Sequence, residues 1–98
     1  MPSRRVLGIT LGDPAGVGPE IIRACLADPS LPASCDYRVI GNAEGHVPRN
    51  PTPASARAAW DALEEAAALL RSGEIAAVAT GPVAKKSLRE IGFTFPGQ

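Results

Sequence analysis

Two glycine-punctuated turns hold the residues with the most chemical promise. The first reads Thr10-Leu-Gly-Asp-Pro-Ala-Gly-Val-Gly-Pro-Glu20. Gly12, Gly16 and Gly18 let the backbone come close to a partner, and the start of a helix follows at once. Exposed N–H groups at such a start favour an anion. The run is neither the dinucleotide fingerprint G-x-G-x-x-G nor a phosphate loop ending in Gly-Lys-Ser/Thr. Asp13 argues against a plain phosphate cradle, because a carboxylate repels phosphate; it suits a hydroxyl, an ammonium group or a water near a metal. It equally suits a tight strand-to-helix turn in which Asp13 caps backbone amides. Spacing leaves both readings open.

The second turn reads Thr80-Gly-Pro-Val-Ala-Lys-Lys86. Thr80 ends a strand, Gly81-Pro82 turns the chain, and Lys85 is expected one turn into the next helix. A lysine there reaches the same edge as Asp13 and can pair with a phosphate or carboxylate. On spacing alone, an ordinary solvated lysine is the favoured reading.

The elements that must position these turns alternate regularly. Residues 5–11 form a short apolar run with β-branched side chains, as in a buried strand. Pro19 and Glu20 open a helix through Ile21, Ile22, Cys25 and Leu26 that stops before Pro29. Residues 37–40 read as a second strand, followed by a loop over 42–52. Thr52-Pro53 supplies an N-cap and a first-turn proline. Apolar residues at 56, 59, 60, 63, 66, 67 and 70 then predict one face of a long helix ending at Gly73. Residues 75–80 predict a third strand. A last helix is expected from Gly81-Pro82, carrying Val83, Leu88 and Ile91 and ending at Gly92. The order β-α-β-α-β-α predicts an α/β fold with a parallel sheet and right-handed crossovers. No internal domain boundary is visible within 1–98. Ligands of such sheets gather beyond the carboxyl ends of the strands, where both turns lie.

Composition narrows the function classes. Ten Lys and Arg balance ten Asp and Glu, so no basic stripe serves a nucleic-acid backbone. The first apolar stretch, 6–11, is too short for a signal peptide or a membrane span, and a soluble cytoplasmic protein is expected. Cys25 and Cys35 are spaced neither for zinc nor for a redox pair, and Cys25 is expected as a small buried thiol. His46 has no ligand partner at helical spacing and is expected as a solvated loop side chain. No metal site is expected here. The apolar share leans on alanine, which contributes little hydrophobic free energy per residue. The core is therefore expected to be completed by further chain or a second subunit.

Together the two turns resemble the amino-terminal signatures of the 4-hydroxythreonine-4-phosphate dehydrogenase family. Ile9-Thr-Leu-Gly-Asp-Pro-Ala-Gly-Val-Gly-Pro-Glu-Ile21 echoes its opening strand and loop. Thr80-Gly-Pro-Val-Ala-Lys85 echoes its second signature, with Gly92-Phe93 and Phe95-Pro-Gly97 following. The resemblance covers nearly all of this chain but only the first part of a family enzyme. It implies a fold similar to isocitrate and isopropylmalate dehydrogenases, and a homodimer with shared active sites.

The resemblance further implies NAD or NADP and a divalent metal (Zn, Mg or Co). The implied reaction oxidises 4-phosphooxy-L-threonine to a β-keto acid that decarboxylates, on the route to pyridoxal phosphate. The metal-binding histidines and the basic residues that grip the substrate phosphate belong, by resemblance, to chain beyond Gln98, so no catalytic residue or metal ligand is assigned. Asp13, Gly16, Gly18, Thr80, Gly81, Lys85 and Gln98 are the expected substrate- or cofactor-binding residues. Gln98 stands where the family usually has a substrate-binding histidine. The loop over 46–51 looks shorter than in many relatives, which points to a subgroup acting on a related phosphorylated hydroxy acid, such as a threonate or erythronate. The rival reading is a non-catalytic phosphate- or nucleotide-binding fragment.

Overall fold

The computed structural model describes residues 5–92. Its elements are β1 (Arg5–Thr10), α1 (Gly18–Leu26), β2 (Cys35–Ile40), α2 (Pro53–Ser72), β3 (Ala77–Thr80) and α3 (Lys85–Glu90). The three strands form one sheet in the order β2-β1-β3, with β1 parallel to both neighbours. From the central strand the chain goes first to one side and then crosses to the other. A topological switch therefore lies between the carboxyl ends of β1 and β3, the place where such sheets open a crevice.

The longest helix has the clearest local instructions. The Thr52 hydroxyl accepts from the Ser55 amide at 3.1 Å, and the Ser55 hydroxyl accepts from the Thr52 amide at 2.9 Å. This reciprocal capping box satisfies two donors that the first turn leaves orphaned. At the other end Gly73 takes the left-handed conformation that closes a helix.

Packing of α2 corrects the expected face. The buried positions are Ser55, Ala56, Ala59, Ala62, Ala66 and Leu69. Trp60, Leu63 and Ala67 are only half-buried, and Leu70 is 38% exposed. Alanines occur on every side of this helix, so periodicity alone could not tell the sheet-facing stripe from its neighbour. The core joins Ile40, Ala62, Ala66, Leu69 and Ile75, with Val6 and Val78 packed against it. Ile75 lies just outside β3, which is shorter than the expected 75–80 strand.

Further corrections concern the smaller elements. Strand β2 begins two residues earlier than expected, at Cys35. The last helix does not start at Gly81-Pro82: it begins at Lys85, and Val83 belongs to the extended connection before it. Cys25 is exposed rather than buried. The physical reason is that α1 is held by little more than Gly18 and Ile22; Ile21 is 54% and Leu26 38% exposed. No helix among the described residues is long and apolar enough to cross a membrane.

Candidate functional site

The glycine-rich turn after β1 and the connection after β3 meet at one rim of the sheet. The Asp13 amide donates to the Pro82 carbonyl at 3.1 Å. The Gly81 amide donates to both the carbonyl and the hydroxyl of Thr10, at 2.8 and 3.2 Å. Thr10 is fully buried and acts as the clamp between the two strand ends.

Close packing at this junction explains three of the four glycines in the two turns. Gly12 has a φ of 72°, and a Cβ there would run into the Pro82 carbonyl oxygen. A Cβ on Gly81 would sit 2.5 Å from the Thr10 carbonyl oxygen, and one on Gly18 would strike that of Leu11. The close approach that glycine permits is therefore largely of one loop to another. Gly16 differs, being exposed, and a Cβ there would meet only Asp13.

Asp13 is 7% exposed, and its Oδ1 accepts from the Ala15 amide at 2.8 Å. Its carbonyl accepts from the Gly16 amide at 2.9 Å. The turn-capping role is thus observed, and Asp13 also borders a cleft. That cleft, of about 360 Å³, is bounded by Asp13, Gly16, Arg49, Pro82, Val83 and Ser87 among others. Its size falls in the range of small-molecule sites.

A third wall of the cleft escaped the sequence reading. The Arg49 amide donates to the Ala15 carbonyl at 2.7 Å, tying the 41–52 connection to the glycine-rich turn. Arg49 has a φ of 65°, in the left-handed region, flanked by Pro48 and Asn50-Pro51. No local motif announced this contact; only the crossover geometry brings the two loops together.

The other expected site residues divide as follows. Gly16 lines the cleft, whereas Gly18 and Gly81 are buried in the junction between loops. Thr80 ends β3 at the same rim. Lys85 is the first helical residue rather than one turn in, and its side chain lies outside the described residues. Gln98, Phe93 and Phe95 also lie outside them.

A second hollow, of about 550 Å³, lies between β2 and α2 and is lined by Arg38, Asn42, Glu44, His46, Asp61 and Glu65 among others. His46 is half-buried there rather than fully solvated. Asp61 is already paired with Arg57 at 3.1 Å. The hollow is away from the β1–β3 switch, so the smaller cleft is the better candidate. Among the described residues no group of three or more His, Cys, Asp or Glu stands together to hold a metal ion.

Comparison with known proteins agrees with this arrangement. Residues 23–98 match the family model described as pyridoxal phosphate biosynthetic protein PdxA. The match starts beyond the glycine-rich turn. A 4-hydroxythreonine-4-phosphate dehydrogenase of Zymomonas mobilis is 30% identical over 128 residues, covering 94% of this chain and 38% of that protein. A D-threonate 4-phosphate dehydrogenase of Cupriavidus necator is 31% identical, covering 94% of this chain and 40% of that protein. A crystal structure of a 4-hydroxythreonine-4-phosphate dehydrogenase from Burkholderia phymatum superposes with a TM-score of 0.82 at 26% identity, over 99% of this chain and 42% of that one. The chain thus spans about two-fifths of the length of the curated relatives it matches. Their matched stretches are also longer than the 98 residues here, so they contain positions with no counterpart in this chain. With the family model matching most of its length, the chain belongs to the PdxA family.

Proposed function

We propose that this chain forms the amino-terminal part of a dehydrogenase acting on a small phosphorylated hydroxy acid, with 4-phosphooxy-L-threonine as the first substrate to test. One observation carries the reading. In a chain of this family, the two motif-bearing loops share one rim and close around a cleft at the sheet's switch point. The fold reading is an isocitrate/isopropylmalate dehydrogenase-like one, and the assembly reading is a cytoplasmic homodimer with shared sites.

The chemistry such a site draws from bound groups is hydride acceptance by NAD or NADP and polarisation of the alcohol oxygen by a divalent ion. The described residues supply no ligand set for that ion. This chain's part is to shape the cleft. Asp13 holds the turn, Gly16 leaves room for the ligand, and Val17, Pro82 and Val83 give the cleft apolar walls.

A second reading has its own support. The Cupriavidus necator relative, named for D-threonate 4-phosphate, is as similar as the Zymomonas mobilis one named for 4-hydroxythreonine 4-phosphate. The two substrates differ at the carbon bearing an ammonium group in one and a hydroxyl in the other.

The test is a chimera in which residues 1–98 replace the matching amino-terminal part of the Burkholderia phymatum protein. Appearance of reduced nicotinamide with 4-phosphooxy-L-threonine, in the presence of a divalent metal, supports the first reading. Activity with D-threonate 4-phosphate alone supports the second. A folded chimera that reduces neither NAD nor NADP with either compound rejects both.

A further inference from the structure

We propose that Arg49 is an oxyanion-binding side chain of the cleft, contacting the phosphate or carboxylate of the small acid that enters it. The identity of that acid as a dehydrogenase substrate rests on the reading above; the anion contact itself does not.

Three observations carry the inference. The first is placement: the 2.7 Å bond from the Arg49 amide to the Ala15 carbonyl fixes the residue at the mouth of the cleft. The neighbouring backbone is held as well, since the Asn50 amide donates to the Val47 carbonyl at 3.1 Å. A side chain on an anchored backbone loses less freedom on binding than one on a loose loop.

The second is conformation. Arg49 is the non-glycine residue among those described with a positive φ, 65°. That conformation is unfavourable for a side-chain-bearing residue, and glycine would avoid the cost. Arginine also lacks the short polar group with which Asn or Asp offsets it locally. Such strain tends to accompany ligand contacts.

The third is charge. Asp13 and Arg49 are the charged side chains among the described lining residues. Asp13 is buried and turned onto the Ala15 amide. Arg49 is exposed and makes no ion pair among the described residues. Its planar guanidinium carries five donors in a fork that fits the two oxygens of a carboxylate or phosphate. The walls beside it, Val17, Pro51, Pro82 and Val83, are apolar and bring no competing charge.

Equilibrium dialysis of the 98-residue chain with labelled inorganic phosphate, against a constant excess of chloride, tests the proposal. Arg49→Gly is the decisive variant, because glycine accepts the backbone conformation and removes only the side chain. Circular dichroism checks that it folds like the parent. Saturable binding that weakens about tenfold or more in Arg49→Gly, with Arg49→Lys in between, is the expected result. Competition by acetate at comparable concentration assigns the contact to carboxylates as well; its absence assigns it to phosphate. No saturable binding of either anion, or binding unchanged in Arg49→Gly, overturns the proposal. A chimera that transfers hydride while the chain's anion binding ignores Arg49 sinks this inference alone. Arg49-dependent binding with an inactive chimera sinks only the dehydrogenase reading.

Discussion

The Asp13 amide donates to the Pro82 carbonyl across 3.1 Å, which makes the turn after β1 and the connection after β3 a single backbone unit. The buried Thr10 side chain reinforces it through the Gly81 amide. The cleft is the outer surface of that unit, so its shape depends on this junction between the loops.

Gly12→Ala tests this directly. The added methyl meets the Pro82 carbonyl, and the φ of 72° is unfavourable for alanine. A loss of about 3 kcal/mol is expected from strain and overpacking together. Gly16→Ala has room apart from a 3.3 Å approach to the Asp13 carbonyl oxygen and should cost under about 1 kcal/mol. Urea unfolding of the two variants at equal protein concentration checks the contrast.

Substitutions at Asp13 separate its structural role from a charge role. Asp13→Asn keeps an oxygen to accept the 2.8 Å bond from Ala15 and should leave stability nearly unchanged. Asp13→Ala removes the acceptor and should cost about 1 kcal/mol. If the carboxylate also contacts the ligand, the Asn variant loses binding while keeping the parental unfolding midpoint.

The corrected face of α2 predicts which long-helix leucine matters. Leu69 lies in the core with Ile75, whereas Leu70 is 38% exposed. Leu69→Ala should cost about 2–5 kcal/mol, and Leu70→Ala within about 0.5 kcal/mol of nothing. Equal shifts in thermal midpoint would show the face to be wrongly placed.

The sheet surface opposite α2 predicts self-association. Strand alternation and register put Leu7, Ile9, Tyr37 and Val39 on that surface. None of the four is fully buried, and Val39 is 40% exposed. Parallel sheets are normally covered on both faces. Sedimentation velocity of the isolated chain should show concentration-dependent association that Val39→Lys reduces. A monomer at every concentration tested would contradict this.

Asp28 offers a pH prediction. The Ser30 amide and hydroxyl each donate to its Oδ1 at 2.8 Å and hold the carboxyl below its ordinary value, the backbone bond having the larger effect. A lowered folded value means that the interaction supports the fold above the ordinary carboxylate range and is lost as pH falls through the lowered one. In a carbon-detected NMR titration, Ser30→Ala should move the Asp28 midpoint only part of the way back, because the backbone donor remains.

The alternating elements, the capping box at Thr52 and Ser55, and the left-handed stop at Gly73 were all written in local sequence, because each depends on groups within a few residues. So was the sharing of one rim by Asp13 and the Thr80–Lys85 turn, which follows from parallel strands with a switch at β1. Tertiary structure alone decided that the glycines mainly seat one loop on another, that the sheet takes the Ala62–Leu69 stripe of an alanine-covered helix, and that α1 leaves Cys25 in solvent. It also decided that Arg49 closes the cleft. These depend on contacts between residues far apart in the chain, such as Ala15 with Arg49 and Gly12 with Pro82, for which no local spacing carries a signal.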